Sequence, residues 1–341
     1  MSDGGSAEVV AATTRPWRVL ALDGGGIRGI IPATVLAEIE RRCNKRIGEM
    51  FDLIAGTSTG GILALALTTP DPSNQSKPRY TAEELVELYT RKGRVIFSRS
   101  IWHQLLTLFG LFGNKYAIKG LDTTLESYFD DSRLKDAIAE VLITSYDLES
   151  RDSWFLARHK ALKDPGSDFP MRQVARATSA APTYFRPELL VRHPQSAMVD
   201  GGVFANNPAM CAYVELIKLH NSRDILLVSL GTGQVKKPIR YRQARTWGLI
   251  GWARPVIDVF MDGVSDTVEH QLTWLLPDQD GQQRYYRFQT ELPPGSGSMA
   301  DTSPAHIQAL RTAAAALIAD NSQTLDTLCE LLMIDGARGP S

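Results

Sequence analysis

Short, continuously apolar runs recur along the chain, and most of them break into glycine or another small residue. They are WRVLALD (17–23), FDLIA (51–55), EVLITSYD (140–147), WFLAR (154–158), SAMVD (196–200) and DILLVSL (224–230). Runs of this length, without polar alternation, predict strands buried on both faces of a parallel sheet. Between them the apolar positions recur at helical spacing. IIPATVLAEIERRC reads as a helix with Pro32 in its first turn. GTSTGG leads into the apolar helix ILALAL, and Thr81 with Glu84 three positions on forms a capping box that opens a helix to about Gly93. MRQVARAT and NPAMCAYVELIKLH follow, the latter with Asn207 as N-cap and Pro208 at its first position. Past residue 255 the pattern is mostly helical, with one aromatic strand candidate, QRYYRFQ, and a last Ala-rich helical segment opened by Ser303-Pro304. This alternation predicts an α/β fold with a parallel or mixed sheet covered by helices on both faces. No repeat or low-complexity linker marks a boundary, so residues 1–15 read as a loose tail and 16–335 as a single domain.

Composition narrows the class. The chain has 341 residues, 43% of them hydrophobic and 22% charged, which excludes disordered, collagen-like and coiled-coil proteins. Lys+Arg number 37 against Asp+Glu 38, so the net charge is −1 and a nucleic-acid polymer is not an expected partner. Cys43, Cys211 and Cys329 are widely spaced with no CxxC pair, which suits a reducing compartment and argues against a disulfide framework or a zinc site. The start, MSDGGSAEVVAATTRPW, lacks the basic and apolar regions of a secretory signal, and no run reaches the ~18 apolar residues of a spanning helix. The expectation is a cytoplasmic protein whose contact with membrane is peripheral.

Four strand candidates end in glycine-rich breaks: Asp23-Gly24-Gly25-Gly26-Ile27-Arg28-Gly29, Gly56-Thr57-Ser58-Thr59-Gly60-Gly61, Asp200-Gly201-Gly202 and Gly231-Thr232-Gly233. If the strands are parallel, all four lie at the carboxyl edge of the sheet, where open α/β folds keep their ligand crevice. Gly56–Gly60 is a GxSxG between strand and helix, a context that sets Ser58 on a strained turn at a helix N-terminus. A serine nucleophile needs a base. None of His103, His159, His193, His220, His270 and His306 follows a strand in a glycine-rich loop, and His159 has Lys160 and Lys163 beside it but no adjacent acid. Asp200, at a strand end before Gly201 and Gly202, is the alternative, because desolvation in a crevice would raise its pKa and strengthen it as a base. Consecutive N–H groups at Gly24, Gly25 and Gly26 could form an oxyanion hole, with the charge of Arg28 nearby. The same stretch is also a GxGxxG dinucleotide fingerprint, but the acid that would hold the ribose is misplaced: Glu49 and Asp52 flank the start of FDLIA, not its end. No GxxxxGK[ST] phosphate loop occurs.

Taken together, these residues resemble the patatin-like phospholipase family, whose DGGGxRG, GxSxG and DGG motifs stand here in order as Asp23–Gly29, Gly56–Gly60 and Asp200–Gly202. Ala177–Phe185, Asn206-Asn207-Pro208 and Ser229–Gly233 also look like the family's, and the likeness runs from about 17 to 290. The resemblance implies a three-layer α/β/α fold with a mostly parallel central sheet and lipid acyl hydrolase activity of phospholipase A type, with no metal or cofactor. It implies Ser58 as nucleophile and Asp200 as base, supported by Gly56, Gly60, Gly201 and Gly202, with the oxyanion held at Gly24, Gly25 and Gly26 and Arg28 close by. The expected partner is a phospholipid or other acyl lipid at the inner face of a membrane. At subfamily level the chain is similar in size to bacterial membrane-degrading effectors of cyclic-nucleotide-triggered anti-phage systems, which adds a cyclic nucleotide activator and an oligomer as alternatives. IWHQLLTLFGLF (101–112) and TWGLIGWARPVIDVFMDG (246–263) each read equally well as a core helix or as a lid or interfacial helix.

Overall fold

The computed structural model describes residues 14–96, 119–191, 195–236, 238–252, 255–279 and 281–338. The apolar runs pair edge to edge into one eight-stranded sheet. Its strands are β1 (Trp17–Leu22), β2 (Leu53–Gly56), β3 (Glu140–Asp147), β4 (Asp152–Ala157), β5 (Glu188–Leu190), β6 (Ser196–Asp200), β7 (Ile225–Leu230) and β8 (Tyr285–Phe288). In space they run β8-β7-β1-β2-β3-β6-β5, with β4 also paired to β3. The run from β8 to β3 is parallel. β4, β6 and β5 join antiparallel to their neighbours, so the Asp200 break does not reach the crevice by running with the others.

β3 explains how it gets there. β4 covers one edge of β3 over 142–147. The opposite edge is shared: β2 rises along 140–143 and ends with Gly56 opposite Ile143, while β6 descends along 147–145 and ends with Asp200 opposite Ser145. Two strand ends thus meet head to head on one edge, with Thr144 between them. The turn after β2 carries Ser58, and β6 closes on Asp200.

Helices cover both faces. On one side Leu20, Leu22, Ile54, Ile143, Val228 and Tyr286 pack against α1 (Ile30–Cys43), α2 (Thr59–Thr68), α3 (Ala82–Glu87), α4 (Lys119–Phe129) and α5 (Met171–Thr178). On the other, Val19, Ala21, Leu53, Leu142, Leu227 and Tyr285 pack against α7 (Ala209–His220) and α8 (Pro255–Leu275), α6 being the short turn Gly202–Ala205. The Thr81 capping box forms, its Oγ1 accepting the Glu84 N–H at 2.9 Å. The helix it opens widens into a π-type turn at Leu88–Lys92 before Gly93–Ile96, so it is not the single rod expected. Asn207 Oδ1 accepts the Ala209 N–H at 3.0 Å, but Pro208, expected at the first helical position, is itself the N-cap of α7.

The ends of the chain differ from expectation. Thr14 and Arg15 are already structured: they pair with Ala337 and Arg338, and Arg15 makes a bidentate ion pair with Asp52 at 2.6 and 2.8 Å. The stretch that carried no motif folds as α9 (Pro304–Asp320) and α10 (Ser322–Met333), which pack on α1. Buried Arg18 fixes it by donating to the carbonyls of Leu331 and Ile334 at 2.8 and 2.7 Å. Residues 101–112 lie outside the described residues. Within 246–263 the chain forms a turn of helix at Leu249–Trp252 and then enters α8.

Candidate active site

Ser58 sits where β2 stops and α2 begins. Its φ of +55° and ψ of −121° place a non-glycine residue in sterically unfavourable backbone space, a local cost of about 1–3 kcal/mol that the surroundings must hold in place. They do so from both sides. The Ser58 N–H donates to Thr178 Oγ1 at 2.8 Å, and Thr57 Oγ1 donates to the Ala205 carbonyl at 2.6 Å while accepting from Thr144 Oγ1 at 2.7 Å. A methyl group at Gly60 would stand 2.1 Å from the Leu22 carbonyl oxygen, and one at Gly56 would stand 2.2 Å from that of Gly60. The two motif glycines are therefore fixed by backbone contact. Ser58 itself stays half-buried and reachable.

Asp200 is buried with its carboxylate close enough to the Ser58 hydroxyl for that hydroxyl to favour the ionised form. Oδ1 accepts the Gly202 N–H at 2.8 Å. Burial pushes the Asp200 carboxyl up to about 6, against the lowering effect of the Ser58 hydroxyl and the Gly202 N–H. Gly201 packs on Thr144, where a methyl group would stand 2.1 Å from Oγ1.

The Gly24–Gly26 loop faces Ser58, with a Gly24 methyl position 3.3 Å from Ser58 Cβ. Its three N–H groups are not equivalent. That of Gly24 donates to the Asn206 carbonyl at 3.0 Å and is spent there. Of the three N–H groups expected to be open, that of Gly24 is engaged, whereas among the described residues those of Gly25 and Gly26 meet no protein acceptor. Arg28 is buried and folds back, its Nε donating to the Gly25 carbonyl at 3.4 Å. The loop is pinned by Thr232 Oγ1, which donates to the Gly24 carbonyl at 2.8 Å. Arg287 on β8 holds the same amino end, gripping buried Asp23 at 2.7 and 3.0 Å and Ser229 Oγ at 2.8 Å. The dinucleotide reading loses its cradle here. The Met299 carbonyl occupies the space beside Gly26 and takes the Ile27 N–H at 2.9 Å, and Gly29 is packed against Thr59 and Tyr89.

Sequence reasoning assigned no role to Thr178, Asn206 or Arg287. The first two stand in segments already singled out as family-like. Arg287 had no local signal, because its partner is far away in sequence. Asn206 is only 8% exposed, and its side-chain Oδ1, close against Gly24, has no hydrogen-bond partner.

The histidines stand elsewhere. His159 lies between Glu140 at 2.9 Å and Glu215 at 3.1 Å, at the amino end of β3 and so across the sheet from Ser58. The absence of an adjacent acid in sequence was misleading, since both acids arrive from other elements. His220 stacks on Trp17 at 3.7 Å, and His306 bonds the Ser298 carbonyl at 3.0 Å. His103 and His193 lie outside the described residues. Among the described residues no three His, Cys, Asp or Glu side chains gather as a metal site, and no helix is long and apolar enough to cross a membrane.

A strained, reachable hydroxyl at a helix N-terminus, beside a desolvated carboxylate and a glycine loop with two open N–H donors, has the parts to add to a carbonyl carbon and shelter the oxyanion that results. The sequence model of the patatin-like phospholipase family matches residues 20–213. Patatin-like protein 2 of rice (Oryza sativa subsp. indica) is 31% identical over 346 residues, covering 90% of this chain and 85% of its own. Patatin-2-Kuras 3 of potato (Solanum tuberosum) is 30% identical, covering 86% and 81%, and a potato relative described as a probable inactive patatin, patatin-3-Kuras 1, is also 30% identical. Among solved structures, human GIVD cytosolic phospholipase A2 superposes with a TM-score of 0.42 at 11% identity, covering 93% of this chain and 60% of that one. VipD from Legionella pneumophila gives 0.40 at 13%, covering 91% and 68%. At such values these two add nothing about chemistry. The family match and the plant relatives show that the chain belongs to the patatin-like phospholipase family and is a lipid acyl hydrolase by that membership.

Proposed function

We propose that the chain cleaves carboxylic ester bonds of membrane phospholipids in the manner of a phospholipase A, through Ser58 and Asp200. Asp200 takes the Ser58 proton as Oγ attacks the acyl carbonyl carbon. The tetrahedral oxyanion accepts hydrogen bonds from the Gly25 and Gly26 N–H groups at the mouth of a helix, where it costs least to form. Collapse expels the lysolipid alkoxide, which recovers the proton from Asp200 and leaves the acyl group on Ser58. Asp200 then deprotonates a water that attacks the acyl-enzyme, and the fatty acid departs as Ser58 regains its proton. No metal or cofactor is required by these steps.

The observation that carries this reading is the buried Asp200 carboxylate brought beside Ser58 by the two strand ends that meet on β3. Ser58→Ala and Asp200→Ala, assayed separately on phospholipid vesicles and on a soluble nitrophenyl ester, should each lose about 10³-fold or more in turnover. Unchanged hydrolysis in either variant removes the pair. Lipid reaches the crevice at the inner face of a membrane, with the protein bound peripherally. A form switched on by a cyclic nucleotide, acting as an anti-phage effector, would show as hydrolysis that rises when a cyclic dinucleotide is added. Activity indifferent to it discards that form.

A further inference from the structure

The exposed large apolar side chains are unevenly spread, and many of them lie between Ile239 and Leu275. Tyr241 is 78% exposed, Phe260 66% and Trp274 76%, with Trp252 also exposed. Along α8 the buried residues Val268, Leu272 and Leu276 face the sheet, while Val259, Phe260, Gly263, Thr267 and Trp274 recur at helical spacing on the outer stripe, with His270 at its edge. Among the described residues nothing covers the groove along Val259, Phe260 and Thr267.

Three exposed guanidiniums lie nearby in sequence, Arg240, Arg242 and Arg245, and among the described residues none has a carboxylate within ion-pair distance. Most other arginine–carboxylate encounters in the fold are satisfied, as at Arg15, Arg42, Arg133 and Arg287. Two acids of α8 are directed to other cations. Asp266 acts on Lys236 and Glu269 on Arg287, so their fields turn toward cations of the protein itself.

Helix α8 adjoins the crevice, and the arginine segment continues in the chain from one of its loops. The arginine segment follows Gly231–Gly233, where Thr232 holds the Gly24 carbonyl. α8 packs on α6, the turn that directly follows Asp200 and Gly201. Aromatic side chains beside unpaired cations suit the boundary of a bilayer, where rings sit at headgroup level and arginine meets phosphate.

We propose that Arg240–Arg245 and the outer stripe of α8 form one docking surface for a bilayer carrying anionic headgroups, holding the mouth of the crevice on its lipid. The proposal rests on the hydrolase reading for its purpose but not for its test. The near-zero net charge does not oppose it, because attraction to anionic lipid acts within about one Debye length, roughly 10 Å, and depends on local charge.

The test uses the full chain as Ser58→Ala, co-sedimented with vesicles of phosphatidylcholine alone and of phosphatidylcholine mixed with phosphatidylglycerol. Binding should favour the mixed vesicles and weaken with salt. The triple change Arg240→Gln, Arg242→Gln, Arg245→Gln should weaken it about a hundredfold, and Phe260→Ser with Trp274→Ser should weaken binding to both compositions. With Ser58 intact, all of these variants should hydrolyse a soluble nitrophenyl ester at the parent rate, which also shows that they fold. Equal binding to both vesicle types, or binding indifferent to the triple change, overturns the proposal. So does light scattering that finds a dimer dissolved by Phe260→Ser and Trp274→Ser, since the stripe would then be a subunit interface. Failure of the parent chain to hydrolyse the soluble ester counts against the hydrolase reading, and the vesicle result still decides this one.

Discussion

At the scale of single residues, the site turns on a carboxylate whose ionised form is made expensive by burial. Asp200 titrates at about 6, and only its ionised form can accept the Ser58 proton. kcat/KM on a soluble ester should therefore be level above about pH 7 and fall about tenfold per unit below about 6. A profile flat down to pH 4.5 would contradict Asp200 as base. The same shift has a stability consequence of defined sign. The folded state binds this proton more tightly than the unfolded chain, so the group favours folding most below about 4 and that benefit is lost as pH rises through 6. Asp200→Asn, which keeps an acceptor for the Gly202 N–H, should then be inactive yet more stable at about pH 8, by on the order of 2 kcal/mol, with no gain near pH 4. Thermal unfolding at the two pH values checks it. Ser58 and Asp200 were legible in the sequence because the glycines around them answer short-range backbone contacts that leave a fixed spacing. The loss of Gly24 as a donor was not, because its acceptor is the carbonyl of Asn206, which only the fold brings there.

At the scale of elements, the head-to-head meeting of β2 and β6 on one edge of β3 does what a run of parallel strands would not: it points two strand ends at each other across Thr144. Strand direction has no local signature, since a buried run is equally apolar read either way, and the antiparallel entry of β6 could not be read from SAMVD. His159 teaches the same lesson. Its two glutamates come from the first residue of β3 and from α7, tying three elements together at the amino edge of the sheet. They push the imidazolium up to about 9, so its contribution to stability is complete below about 6.5 and is lost as pH rises through 9. His159→Gln should unfold at a lower temperature than the parent at neutral pH, and the gap should close toward pH 10. A gap independent of pH would mean that packing, not charge, holds this corner.

At the scale of the whole molecule, the family match ends at residue 213, yet the site depends on strands beyond that point. The loop after β7 supplies Thr232 and β8 supplies Arg287, and these two hold Gly24 and Asp23 at the start of the glycine loop. Farther on, α9 and α10 bury Leu310, Leu317, Leu325, Leu328 and Leu332 against the helical layer that contains α1. Deleting 303–338 would uncover that surface and release Arg18 from its two carbonyls. Each large side chain is worth about 1.5–3 kcal/mol, so the five together are comparable to the whole usual stability of a domain. The truncated chain should lose cooperative unfolding and partition to the insoluble fraction. A soluble product with the parent's unfolding temperature would show that the C-terminal helices are an accessory.

Local constraints along the chain were enough for the layered α/β class, the strands, most of the helices and the positions of Ser58 and Asp200, because periodicity, buried runs and tight glycine turns each act over a few residues. Closure of the chain was needed to settle which N–H groups of the loop are open, which acids flank His159, which direction β6 runs and where unpaired charge gathers. Each of those depends on which distant group fills a space or takes a proton, and no short stretch of residues carries that information.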